Sequence, residues 1–262
     1  MSGEPANPLF GHTRTRVARD HAVIAPDSHV PSPLVGWDFG DGNDDGAGEG
    51  IVLISPAMAG GGPRFVQYLV HGVAHTSGAA PGVQRLVYVL SGSVELDGLN
   101  KPADTAIWFP PGDDCDFRTF DDTELLVFEK PYEPRVGCGT PDRVVTCLQV
   151  APNEPFLGDP DAILSTLLPI EPAFDMAVNV FTFQPGAALP LVETHIMEHG
   201  LYMARGQGVY RLGDDWYPVQ KGDTIWMASY CPQWFVAMGK EPAVYIYYKD
   251  VHRDPLSNRP DA

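Results

Sequence analysis

The chain has 262 residues, enough for one large domain or two of ordinary size, either with a real core. With 17 basic against 34 acidic residues its net charge is -17, which argues against a nucleic-acid backbone or an anionic membrane as partner and points to an acidic, water-facing surface. No run approaches the about 20 apolar residues that would span a bilayer, and the opening MSGEPANPLFGHTRTR lacks an apolar signal core, so a cytoplasmic location is expected.

In chain order, the first distinctive piece is DFGDGNDDGAGEG at 38–50, acidic and glycine-rich, which reads as a solvated loop without chemistry. Beyond it, abundant Gly and Pro (27 and 26) punctuate short β-branched and aromatic runs: RLVYVLSGSVEL, TAIWFPPG, ELLVFEK, GVYRLG, DTIWMA and AVYIYYKD. Short strands between turn signals predict an all-β sandwich or barrel, not a βαβ protein. One piece near the middle, DPDAILSTLLP, is compatible with a helix, with Asp159 or Asp161 as N-cap and Pro169 as its stop. Cys115, Cys138, Cys147 and Cys231 lack Cys-x-x-Cys spacing, so reduced, packed thiols are expected and neither disulfides nor a thiolate zinc site. His71 and His75 have no carboxylate or fourth group at a matching offset and read as structural.

An internal repeat organises the chain. LVYVLSGSVELDGLNKPADTAIWFPPGDDCDF and LYMARGQGVYRLGDDWYPVQKGDTIWMASYCPQWF share an order of strand, Gly turn, hairpin, Trp-containing strand and proline-rich corner, and each is followed by a strand ending in lysine. Two similar β-domains are expected, 1–155 and 156–262. The second copy resembles the cupin pattern, whose first motif, G-x5-H-x-H-x3-4-E-x6-G, supplies three metal ligands and whose second, G-x5-P-x-G-x2-H-x3-N, supplies a fourth. With Gly206 as the closing glycine of the first motif, Glu193, His195 and His199 fall at the three ligand positions; with Gly222 opening the second, Gln233 falls at the fourth.

On an unbroken strand Glu193, His195 and His199 would share one face and Glu198 the other, which makes Glu198 the weaker ligand candidate. Two imidazoles, a carboxylate and an amide suit an octahedral Mn²⁺, Fe²⁺ or Ni²⁺ ion with open positions better than a closed zinc site. The first copy puts Ala79, Pro81, Arg85 and Cys115 at the same positions, a set that cannot assemble a cation site. A metal-free N-terminal cupin and one metal per chain are therefore expected.

Almost the whole chain, from HAVIAPDSHVPSPLVGW to KDVHRDP, resembles the (S)-ureidoglycine aminohydrolases, bicupin enzymes of allantoin and purine breakdown. The resemblance rests on three features together: the reordered E-x-H-x3-H triad, Gln at the fourth ligand position and the closing Y-x3-K-D-x2-R-D. It implies hydrolysis of ureidoglycine to ureidoglycolate and ammonia at a Mn²⁺ centre held by Glu193, His195, His199 and Gln233. It also implies substrate contacts from Tyr210, Tyr245 and Lys249, catalytic roles for Glu193, Tyr245 and Lys249, and a homo-oligomer. On strand parity Tyr245, Tyr247 and Lys249 share a face and Tyr248 lies on the other. Arg253 and Asp254 read as a salt bridge or subunit contact. Two other readings stay open: a cupin isomerase or dioxygenase on another small acid, and a sugar- or ligand-binding bicupin without turnover.

Overall fold

The computed structural model describes residues 14–40 and 48–254. Positions 41–47 of the acidic segment and the first 13 residues, on which the reading of the N-terminus falls, lie outside the described residues. The described ends of the acidic segment enter strands: Asp38 ends Trp37–Asp38, which pairs with His75–Ser77, and Glu49 and Gly50 open Glu49–Ile54, which pairs with Val66–His71.

Among the described residues there are strands and three short 3-10 turns, with no α-helix. The strands form sheets of eight, six, five and three. In the first half the six-stranded sheet faces the five-stranded one across a core that includes Val87, Phe109, Phe117 and Val127; in the second the eight-stranded sheet faces the three-stranded one across Phe181, Leu201, Phe235 and Tyr245. A third apolar layer joins the halves: Leu86, Trp108 and Phe128 of the six-stranded sheet meet Val178, Trp226 and Tyr248 of the eight-stranded one. Both large sheets are therefore apolar on both faces, one toward a barrel interior and one toward the other barrel. The strand Ala243–Asp250 shows the alternation directly, with Tyr245 and Tyr247 inside its barrel and Ile246 and Tyr248 in the layer between barrels.

The two halves superimpose by register. Arg85 lies opposite Glu129 in the pair Val83–Ser91 with Glu124–Pro131, and His199 lies opposite Lys249 in the pair His199–Arg205 with Ala243–Asp250. Gly92 and Gly206, the matched closing glycines, both take left-handed backbone (φ 67° and 71°), and a Cβ on either would meet a backbone oxygen at 2.7 or 2.4 Å.

One expectation is corrected. DPDAILSTLLP is not helical: Asp159–Thr166 is a strand inserted between Asn153–Phe156 and Met176–Phe183. Its backbone groups are satisfied from both sides, and that tertiary pairing outweighs a weak helical propensity. The strand His21–Ile24, although N-terminal in sequence, adds to the eight-stranded sheet beside Thr224–Met227. His21–Ile24 thus extends a sheet of the second barrel.

Candidate metal centre and substrate cavity

The ligand-bearing segment is not one continuous strand. The strand begins only at His199, and of the residues before it Glu193 alone makes a β-bridge, with Gln233. That bridge is closed by two backbone hydrogen bonds, Glu193 N–H to Gln233 O (2.8 Å) and Gln233 N–H to Glu193 O (2.9 Å). Directly opposed residues of an antiparallel pair project from the same face, so the bridge sets these two side chains side by side. His195 is placed separately, by Tyr230 N–H donating to its carbonyl at 2.7 Å. Tyr230 stands where the cupin pattern has glycine and takes the left-handed conformation (φ 65°), as its counterpart Gly112 does (φ 85°).

These elements bring Glu193, His195, His199 and Gln233 together with Tyr210, Tyr245 and Lys249 around one cavity of about 110 Å³, walled on its apolar side by Phe156, Leu164, Phe181 and Leu201. Tyr247 also lines it, a residue sequence parity put on this face without assigning it a role. Phe156 and Leu164 were hidden by the helical reading of the segment that carries Leu164.

The imidazoles are held in metal-ready form. Nδ1 of His195 donates to Met197 O (3.1 Å), which leaves the lone pair on Nε2. That Nε2 lies 3.1 Å from the Gln233 amide nitrogen, and Nδ1 of His199 lies 3.4 Å from it. The two imidazole rings are 4.4 Å apart between centroids. Nε2 of His199 is buried without a hydrogen-bond partner. Burial lowers both histidines, well below the ordinary value for His199, with Lys249 and, for His199, the neighbouring His195 adding to the effect. Neutral imidazole is the form that ligates a metal. Burial pushes the Glu193 carboxyl up, opposed by Lys249, and lowers Lys249, opposed by Glu193. A buried cation would reverse the effect on Glu193.

An orphaned, buried imidazole nitrogen in a cavity also lined by a second imidazole, a carboxylate and an amide fits a divalent metal ion, and the oxygen and nitrogen donors without thiolate fit a hard or borderline one. Gln233 would ligate through its amide oxygen, which now accepts from Tyr210 Oη at 3.1 Å.

Glu198 is turned away from this set. Its carboxylate accepts from Arg64 N–H (2.8 and 3.0 Å) and Trp226 Nε1 (3.1 Å) on the face between the barrels, and burial raises it to about 6. His71 lies 3.5 Å from Glu124 and His75 lies 2.8 Å from Asp116, and neither histidine lines the cavity. In the first barrel the equivalent positions hold a closed set. The fully buried Arg85 donates to Glu129 (2.6 Å) and Thr76 (2.6 Å), and Glu129 also accepts from Tyr68 Oη (2.9 Å). Arg253 spans the junction, donating to the carbonyls of Glu133, Pro172 and Ala173. All four cysteines are free thiols.

Two facing-sheet barrels in tandem define a bicupin, and residues 179–248 match the cupin domain family. The chain is 39% identical to an (S)-ureidoglycine aminohydrolase of Arabidopsis thaliana over 95% of its own length and 81% of the relative's. It is 32% identical to the (S)-ureidoglycine aminohydrolase of Escherichia coli, over 89% of each. The chain belongs to the (S)-ureidoglycine aminohydrolase family. Among solved structures, the E. coli protein Ylba superimposes with a TM-score of 0.77 at 28% identity, over 96% of this chain and 99% of that one. A Bacillus subtilis oxalate decarboxylase (TM-score 0.62, 10% identity, 91% of this chain and 78% of that one) shares the fold alone.

Proposed function

We propose that the cavity hydrolyses (S)-2-ureidoglycine to (S)-ureidoglycolate and ammonia, with one Mn²⁺ per chain held by Glu193, His195, His199 and Gln233. The observation that carries the reading is the convergence of those four donors with Lys249, Tyr210 and Tyr245 on one small cavity, in a chain of this family. The reaction replaces the α-amine with hydroxyl: a C–O bond forms from water, the C–N bond breaks, and the amine leaves with a proton. A bound divalent ion would supply Lewis acidity toward substrate or water.

The remaining chemistry belongs to the side chains. Lys249 is a compact cation in a largely buried place, suited to the substrate carboxylate. Burial drives Tyr210 and Tyr245 upward, so both stay protonated and can donate to ureido oxygen or accept from an amine. Glu193, raised by burial, is the carboxylate in the cavity able to take a proton from water and return it to the departing amine. The aromatic and leucine wall limits the site to a small substrate.

In the same reading residues 1–155 form a metal-free cupin and 156–262 the catalytic one, which borrows His21–Ile24 as a strand. A homo-oligomer in the cytoplasm completes it. No helix among the described residues is long and apolar enough to cross a membrane.

The test is ammonia release from freshly generated (S)-ureidoglycine by purified protein, with and without a chelator, alongside metal analysis. Release that depends on Mn²⁺ is expected. No release with Mn²⁺ supplied overturns the assignment.

A further inference from the structure

Three donors outside the cavity come together at the rim of the second barrel: a carboxylate oxygen of Asp20, a ring nitrogen of His21 and Sγ of Cys231 all lie within 4.8 Å of one another. They arrive from distant parts of the chain. Asp20 and His21 open the N-terminal strand that docks on Thr224–Met227, with His21 opposite Met227. Cys231 sits in the bend after that strand, where Cys231 N–H donates to Ala228 O (3.1 Å) and Ala228 N–H to Asp20 O (2.9 Å). Nδ1 of His21 is 3.0 Å from Asp20 Oδ1 and its Nε2 is 2.8 Å from Tyr217 Oη.

We propose that Asp20, His21 and Cys231 form a second divalent-cation site, of the zinc class, which fastens the N-terminal strand to the bend that leads into Gln233. A thiolate, an imidazole and a carboxylate are the donor types of a tetrahedral Zn²⁺ site, and the thiolate sets it apart from the nitrogen- and oxygen-only donors of the cavity. Their mutual spacing places three donors around one point, with His21 ligating through Nδ1 on the Asp20 side while its Nε2 stays on Tyr217 Oη, and water can take a fourth position. His21 and Cys231 are buried, whereas the Asp20 side chain is 55% exposed, which gives an ion a way in from solvent. Binding displaces the thiol proton to water. Cys231 makes only a weak contact of its own, Sγ to Pro232 O at 3.7 Å, so little is lost on ligation.

A nucleophilic Cys-His-Asp arrangement would use the same residue types, but none of the three lines the substrate cavity, so a nucleophile here would have nothing to attack. Cation binding needs no neighbouring pocket. Its structural reach is short: Tyr230, beside Cys231, donates to His195 O, and Gln233 follows two residues later. A cation at the rim would hold the bend that supports two residues of the cavity.

Co²⁺ titration of the Mn²⁺-loaded full-length protein tests the site by spectroscopy, independently of turnover. One additional equivalent of Co²⁺ is expected, with a thiolate-to-cobalt charge-transfer band. Cys231→Ser abolishes the band, and Asp20→Asn, at a largely exposed position where folding is not at stake, weakens binding by about tenfold or more. Zn²⁺ competes the cobalt away. The proposal is overturned if wild type gives no thiolate band, or if the band persists in Cys231→Ser or is unchanged in Asp20→Asn. Ammonia release is measured separately, so loss of the rim site and loss of the cavity chemistry are distinguishable.

Discussion

His199 and Lys249 stand directly opposite one another across adjacent antiparallel strands, the imidazole and the ammonium entering the same cavity. Burial and the nearby cationic side chain of Lys249 both lower His199, while burial lowers Lys249 against the opposing carboxylates of Glu193 and Asp250. The arrangement readies His199 as a neutral ligand and leaves Lys249 in need of an anion. Lys249→Ala should therefore lower kcat/KM by about 10- to 100-fold, the loss of one charge-assisted contact of ~1.5–3 kcal/mol. Manganese content should stay at the wild-type level. If metal is lost together with activity, Lys249 is not a substrate contact in the sense argued.

Tyr210 lines the cavity and donates its hydroxyl to the amide oxygen of Gln233. Removing that hydrogen bond frees the amide to rotate without removing a ligand. Tyr210→Phe should weaken Mn²⁺ binding by about tenfold, as loss of an orienting partner does, and Gln233→Ala should weaken it more. Isothermal titration of the metal-free protein orders the two variants; equal affinity in wild type and Tyr210→Phe would leave Gln233 held by the backbone bridge alone.

Much of this was legible in the sequence because cupin ligands lie at fixed offsets from a glycine whose left-handed turn admits no side chain, and Gly206 with Glu193, His195, His199 and Gln233 kept those offsets. Alternation separated Tyr245 and Lys249 from Tyr248 for the same local reason. Strand continuity from 193 to 199 did not hold, although the side chains still converge, because Glu193 is placed by its bridge to Gln233 and His195 by Tyr230. Asp159–Thr166 was misread since its partners lie on other segments, and the docking of His21–Ile24 onto Thr224–Met227 is a contact across some 200 residues that no local pattern reports. Arg64 was passed over for a like reason: its partners Glu198 and Asp250 belong to the other half of the chain.

That cross-half contact has its own consequence. Arg64 meets Asp250 at 2.5 Å and Glu198 at 3.5 Å, and Glu198 and Asp250 are the residues next to His199 and Lys249. Arg64→Ala leaves two mostly buried carboxylates facing each other. Because the Arg64 side chain is 45% exposed, the cost is discounted from that of a fully buried pair to about 1–2 kcal/mol. Urea denaturation reads it, and Arg64→Lys should recover part. A wild-type midpoint in Arg64→Ala would show that the backbone N–H of Arg64 alone holds Glu198.

A pH effect is expected at the rival histidine. The Glu124 carboxylate, 3.5 Å away, raises His71, and His71 in turn lowers Glu124. Stability from the raised His71 is fully present below the ordinary imidazole value of about 6.5 and is lost as pH rises through its folded value; stability from the lowered Glu124 is present above about 4.5 and is lost as pH falls through its folded value. The pair thus contributes most between those limits. With both side chains about a third exposed, the amount is under about 1 kcal/mol. His71→Gln should flatten the difference in melting temperature between pH 6 and pH 8. An unchanged difference would remove the pair from the pH response.

The first barrel provides the sharpest check on the division of labour. Arg85 occupies the register position of His199 and Glu129 that of Lys249, but here the two groups have opposite signs and bond at 2.6 Å. The guanidinium brings its own charge into the interior and uses its donors on Glu129, Thr76 Oγ1 and Gly78 O. Arg85→Ala removes the charge and leaves Glu129, 18% exposed, beside Tyr68 in an apolar interior. A loss of about 3–5 kcal/mol is expected, since an abandoned buried partner is costly. The manganese bound per folded chain should not change, because no donor of the second barrel has moved. Denaturant unfolding together with metal analysis of the folded fraction decides the matter: a fall in metal content without unfolding would mean that the first barrel contributes directly to the centre.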